Sequence, residues 1–184
     1  MTDVCVELRH YDGGEVAVIR GLLLDVHDEV YLGSEDPLAG RDKFAEFLDH
    51  WADRPGFDCV VGYEGGEAVG YAYGAPLSAE TSWWSTIEPC LDSVFSRETG
   101  SRTFALSELM VRAPWRGTGL ARRIHDELVC GRHEERATLL VHQAHSKVRS
   151  LYETWGYRVV GAMTPSFPGA PDLYAMVGKL GARQ

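Results

Sequence analysis

The residues best suited to chemistry lie in one run, Leu109-Met110-Val111-Arg112-Ala113-Pro114-Trp115-Arg116-Gly117-Thr118-Gly119-Leu120-Ala121. An apolar strand ends at Val111, a loop of Pro, Arg and Gly follows, and a helix starts near Gly119. Glycine lets the backbone approach a ligand closely because there is no Cβ to collide with it. The first amides of a helix lack internal partners and lie at the positive end of its dipole. Strand, glycine turn and helix start together predict an anion cradle suited to phosphate. Arg112, Arg116, Arg122 and Arg123 add positive charge nearby. A nucleotide-containing ligand is the leading expectation.

Two common phosphate loops do not fit. A dinucleotide fold wants Gly-x-Gly-x-x-Gly early in a βαβ unit, and a P-loop wants Gly-Lys-Ser/Thr at the helix start. Arg116-x-x-Gly119-x-Ala121 instead resembles the Arg/Gln-x-x-Gly-x-Gly/Ala signature of the GNAT superfamily of N-acyltransferases. A second block strengthens the resemblance. Arg136 to His142 reads as a buried strand. Val148, Leu151, Tyr152 and Trp155 then keep helical spacing, with Gly156 placed to end the helix. Leu151-Tyr152-Glu153-Thr154-Trp155-Gly156-Tyr157 resembles the family's Leu-Tyr-x-x-x-Gly-Phe/Tyr motif. The match spans roughly residues 104–161. One position departs: where the family usually has Asn, seven residues before the tyrosine, this chain has His145. Imidazole still donates one hydrogen bond, so altered detail rather than lost cofactor binding is expected.

The resemblance implies an acetyl-CoA-dependent N-acetyltransferase acting by direct transfer, with acetyl-CoA as co-substrate and no metal. Leu109, Met110 and Val111 would pair with the pantetheine arm like an added strand and polarise the thioester carbonyl. Arg116, Gly117, Thr118, Gly119, Leu120 and Ala121 would hold the pyrophosphate, and His145 and Arg149 would complete the cofactor set. Tyr152 is the candidate general acid, since a phenol pKa of about 10 suits protonation of a departing thiolate. Glu108 is the candidate base, directly or through water. Strand alternation puts it on a face with Leu106 and Met110, where desolvation would raise its pKa. Ser107 points the other way and is a weaker candidate for an acceptor contact. His142 lies near the expected cofactor groove. The structural alternatives are an ordinary strand-to-helix turn, a core tyrosine, and a buried glutamate paired with an arginine.

Positioning these groups takes one domain, residues 1–184, of ordinary globular composition: 45% hydrophobic and 24% charged. The fold class is α/β (α+β), with a mixed, mostly antiparallel central sheet flanked by helices. The resemblance implies the order βααβββαβαββ and splayed central strands. Val4 to Arg9 alternates as an edge-like strand. Val16, Ile19, Leu23, Val26 and Val30 form one helix face, and Phe44, Phe47, Leu48 and Trp51 another. Phe57 to Glu64 and Glu67 to Ala75 read as strands joined by a Gly65-Gly66 hairpin turn. Thr103 to Arg112 is the central strand, and Tyr157 to Met163 and Asp172 to Lys179 are the last two. Between them, Pro76 to Arg102 contains Trp83-Trp84 and a predicted short helix over Glu88 to Ser96. The paired tryptophans serve either as packing or as acceptor pocket.

Charge narrows the partners. The net charge of -9 argues against nucleic acid. Residues 1–96 carry 5 Lys+Arg and 19 Asp+Glu, and residues 97–184 carry 13 and 8. The half with the candidate cofactor loops is basic, as a polyanion requires, and the acidic half would attract a cationic amine or simply keep the surface solvated. The expected acceptor is a small-molecule amine. A protein or peptide N-acetyltransferase and a non-catalytic acyl-CoA-binding sensor are the alternatives. No run approaches a membrane span, the N-terminus lacks a secretory pattern, and Cys5, Cys59, Cys90 and Cys130 have no paired spacing. A cytoplasmic protein, without a membrane partner and compatible with a homodimer, is expected.

Overall fold

The computed structural model describes residues 6–34 and 39–181. The elements, in order, are β1 (Glu7–Asp12), α1 (Val16–Val30), α2 (Arg41–Ala52), β2 (Asp58–Glu64), β3 (Glu67–Pro76), α3 (Ser93–Ser96), β4 (Thr103–Val111), α4 (Leu120–Val129), β5 (Arg136–His142), α5 (Ser146–Thr154), β6 (Tyr157–Met163) and β7 (Leu173–Lys179). This is the anticipated βααβββαβαββ order with the short α3 inserted before β4. One seven-stranded sheet runs β1-β2-β3-β4-β5-β7-β6. Its recorded ladders are antiparallel except β4 with β5. That parallel ladder pairs Thr103–Ala105 with Arg136–Thr138. Among the described residues no helix is long and apolar enough to cross a membrane.

The chain divides into two compact units. The first comprises residues 1–75 and 107–130. In it, α1 buries Val16, Ile19, Leu23, Leu24, Val26 and His27, the inward stripe of a 3.6-residue repeat. The α2 helix buries Phe44, Ala45, Leu48 and Trp51, whereas Phe47 is 44% exposed. The inward face thus takes Phe44, Leu48 and Trp51, and Phe47 sits on its rim, edge-on to Trp51 at 6.2 Å. Gly65 and Gly66 both have positive φ, 58° and 88°, as a two-residue hairpin turn between β2 and β3 requires. The α4 helix lays Leu120, Ile124 and Leu128 into the core. It can approach closely because a Cβ at Gly70 would stand 3.2 Å from Ile124 Cδ1 and 2.7 Å from the Met110 carbonyl oxygen. The alternation expected for Val4 to Arg9 becomes β1 at Glu7–Asp12, and residues 4 and 5 lie outside the described residues.

The second unit comprises residues 76–106 and 131–184. Its core is Phe104, Leu106, Leu139, Val141, Ala175 and Met176, with Trp84 and Ile87 from the segment before β4. The helix expected over Glu88 to Ser96 is confined to Ser93–Ser96. Glu88 instead exchanges two 2.8 Å backbone hydrogen bonds with Ala162, extending β6 by a bridge. Asp92 then caps α3, its carboxylate accepting from the amides of Val94 and Phe95 at 2.9 and 2.8 Å. Trp84 is packing: its ring is buried and its N–H donates to Glu98 at 2.8 Å. Thr103 and Arg136 also bond that carboxylate, at 2.6 and 3.0 Å, tying the segment to β4 and β5.

Candidate active site

Within the first unit, β4 ends at Val111 and the chain turns through a short 3-10 helix, Ala113–Trp115. The turn is pinned at several points. The Arg112 amide donates to Val69 O at 2.9 Å, and its guanidinium reaches Glu29 at 2.6 Å. The Trp115 indole donates to Glu64 at 2.8 Å, and Arg116 Nε donates to Val111 O at 3.0 Å. Thr118 Oγ1 closes the loop onto Trp115 O at 2.7 Å. A rigid base therefore presents an exposed crest of Arg116, Gly117, Thr118 and Gly119.

Gly117 and Gly119 have φ of 76° and 86°, a region that L side chains reach only with strain. A Cβ built on either meets nothing within 4 Å. Backbone handedness, not crowding, demands glycine here, and the space above the crest is open. The first helical-type bond is Arg123 N–H to Gly119 O at 3.1 Å. The amides of Leu120, Ala121 and Arg122 precede it and sit at the positive end of α4.

The electrostatics differ from a simple count of arginines. Arg112 pairs with Glu29 and Arg122 with Asp126, at 2.6 and 2.8 Å, so neither offers unneutralised charge. Arg116 and Arg123 bond only backbone carbonyls, Val111 O and Val6 O, among the described residues. Neither has a carboxylate partner among the described residues.

Glu108 lies half-buried on β4, between the buried Leu106 and Met110 of its own face. Burial first, and the Glu108 charge second, hold the phenols of Tyr71 and Tyr73 well above their ordinary pKa. Those two rings on β3 stack at 6.1 Å, and the Tyr71 hydroxyl donates to Met110 Sδ at 3.2 Å. The Ser107 and Tyr73 hydroxyls are both out of solvent, and neither makes a well-formed hydrogen bond among the described residues. The two tyrosines beside Glu108 were not among the expected site residues. The alternation Tyr71-x-Tyr73 on a strand next to β4 was their only signal.

Within the second unit, β5 ends at His142 and a tight turn leads to α5. The His145 amide donates to His142 O at 2.9 Å, and His145 O accepts from Val148 and Arg149 at 3.0 and 3.1 Å. The His142 and His145 rings stack at 4.7 Å, leaving His145 exposed without a side-chain cap bond to the helix. Arg149 sits 3.4 Å from Glu153 and 5.6 Å above the Tyr174 ring. Tyr152, 8% exposed, is held edge-on by Trp155 and Tyr157 at 5.1 and 5.6 Å. Gly156, with φ of 92°, ends α5 as anticipated. The first unit thus gathers Glu108, Leu109, Met110, Val111 and Arg116 to Ala121, and the second gathers His145, Arg149 and Tyr152.

A family model described as the acetyltransferase (GNAT) family matches residues 22–157. No curated protein sequence matches the chain. Solved structures share its fold at low identity. Aminoglycoside 6'-acetyltransferase type Ii has a TM-score of 0.65 at 16% identity, covering 97% of this chain and 99% of its own. The acetyltransferase of GNAT family from Streptococcus pneumoniae has 0.63 at 13%, covering 95% and 99%. The yncA protein from Salmonella typhimurium, solved with its cofactor acetyl-CoA, has 0.60 at 17%, covering 98% and 96%.

Proposed function

Because this chain belongs to the GNAT family of acetyltransferases, we propose that it moves the acetyl group of acetyl-CoA directly onto the amine of a small, cationic acceptor. The observation that carries the proposal is the crest of Arg116 to Ala121. It has open space over Gly117 and Gly119, the first-turn amides of α4 at the positive end of its dipole, and charge on Arg116 and Arg123 that no carboxylate among the described residues neutralises. These features fit a pyrophosphate.

The loop amides and Arg116 bind the pyrophosphate, and the backbone of Leu109 to Val111 pairs with the pantetheine arm and polarises the carbonyl. His145 and Arg149 complete the cofactor contacts. Glu108 takes the proton from the acceptor ammonium, directly or through water, so that the free amine can attack. Tyr152 gives a proton to the departing thiolate. Holding both substrates in place supplies much of the acceleration, up to ~7–11 kcal/mol in well-oriented systems. A cationic acceptor is favoured by the acidic balance of residues 1–96 and by the half-buried Glu108 carboxylate. One solved structure of the same fold is an aminoglycoside 6'-acetyltransferase.

The test is thiol release from acetyl-CoA across a panel of small amines and peptides, with the acetylated product identified by mass. Release with a small cationic amine that collapses in Tyr152→Phe and Glu108→Gln supports the reading. Release with peptides alone, or full activity in both variants, overturns it.

A further inference from the structure

The second unit contains a cavity of about 470 Å³ lined by Phe95, Glu135, Arg136, Gly156, Arg158, Val177 and Lys179. None of these residues belongs to the proposed transfer chemistry. The cavity opens at the start of β5, six residues before His142, which is ~20 Å along an extended strand. We propose that it binds a small molecule through a dianionic phosphate group.

The strand register explains why three cations meet here. Arg136 on β5 is directly opposite Lys179 on β7, and Arg158 on β6 is directly opposite Val177, two residues before Lys179. Direct cross-strand partners project from the same face, and residues two apart on a strand do too. Arg136, Lys179 and Arg158 therefore share one face of three adjacent strands.

The local pairs leave a definite remainder. Arg136 is bound to Glu98 at 3.0 Å and to Phe95 O at 2.6 Å, and its charge is neutralised there. Glu135 is paired with Arg102 at 3.2 Å. Arg158 and Lys179 are exposed, and neither has a charged partner among the described residues. Two unpaired positive charges remain at the mouth of the cavity. A phosphate monoester carries close to two negative charges at neutral pH and offers three acceptor oxygens. Guanidinium and ammonium donors suit it, the first through its planar fork. Phe95 and Val177 give the cavity an apolar wall for the rest of the molecule. The volume lies in the roughly 300–1,000 Å³ range of small-molecule sites. The inference stands on these residues and does not depend on acetyl transfer.

The test is a titration of the full-length, nitrogen-15-labelled protein with inorganic phosphate, read residue by residue by NMR. Saturable shifts at the amides of Gly156, Arg158 and Lys179 are expected. In Arg158→Ala/Lys179→Ala they should weaken by about tenfold or more, since each substitution removes a charge-assisted hydrogen bond. Arg158→Lys should recover part of the affinity. Both positions are exposed and unpaired, so the fold should be unaffected, and unchanged shifts at the Gly117 and Gly119 amides check this. Absence of saturable shifts around the cavity, shifts confined to the Gly117–Ala121 loop, or equal affinity in the double variant would each overturn the proposal.

Discussion

Replacing Gly119 by glutamate tests the loop at its most exposed point. Gly119 has φ of +86°, and a Cβ there meets no protein atom within 4 Å. The substitution therefore creates no clash within the fold. It does force an L residue into the left-handed region, at ~1–2 kcal/mol. For a chain of this size that lowers Tm by about 2–8 °C. The binding penalty comes from charge. A carboxylate about 4 Å from one phosphate charge is repelled by ~4 kcal/mol at an effective dielectric constant near 20. Salt and exposure of the crest reduce this to ~2 kcal/mol, so acetyl-CoA should bind about 30-fold more weakly or worse. Gly119→Ala is the control, with the same backbone strain and no charge: its Tm should fall similarly while its binding falls less. Calorimetric titration gives the affinities, and thermal unfolding gives the strain. Affinity for acetyl-CoA in Gly119→Glu within about threefold of the parent, a change of ~0.7 kcal/mol, would remove the loop from phosphate binding.

Three further outcomes are expected. Tyr152→Phe should lower kcat by about 100-fold or more with little change in acetyl-CoA affinity, the loss of a general acid; an unchanged kcat would reassign that role. Glu98→Gln strands the buried Arg136 guanidinium, now 3.0 Å from Glu98, and should destabilise the protein by ~3–5 kcal/mol; an unchanged urea midpoint would mean the pair anchors nothing. His10 lies 3.0 Å from Asp58 and 3.3 Å from Glu127. Burial pulls its pKa down, but the bonds and charges of these carboxylates outweigh that and raise it. Its contribution is then present in full below about pH 6.5 and lost as pH rises through the higher folded value. Being 44% exposed, the pair should contribute only ~0.2–1 kcal/mol. The urea midpoint of His10→Gln should fall below the parent's at acidic pH and converge with it at alkaline pH, and the opposite trend would refute the assignment.

Much of this arrangement was legible in the chain because it is local. Helical spacing marked α1 over its full length, and the turn glycines located the β2–β3 hairpin and the crest of the phosphate loop. What escaped was decided by tertiary contacts. Phe47 has the spacing of a core residue, yet Phe44, Leu48 and Trp51 already fill the inward face of α2. The predicted helix over Glu88 to Ser96 lost its first half because the Glu88 backbone pairs with Ala162, more than seventy residues away. Composition counted four arginines for the loop, but Glu29 and Asp126 neutralise two of them. Ser107, expected on the opposite side of β4 from Glu108 as a weaker acceptor contact, has its hydroxyl out of solvent near Tyr73, whose pKa it pulls back against the larger upward push of burial. Each difference depends on which distant side chain arrives first, and spacing does not encode that.

The most direct test of the account is the set of backbone amides that respond when acetyl-CoA binds the nitrogen-15-labelled protein. Saturable shifts concentrated at Gly117, Thr118, Gly119, Leu120 and Ala121, and extending into Leu109 to Val111, are the predicted result. Binding that leaves those amides unmoved, or no binding at all, would contradict it.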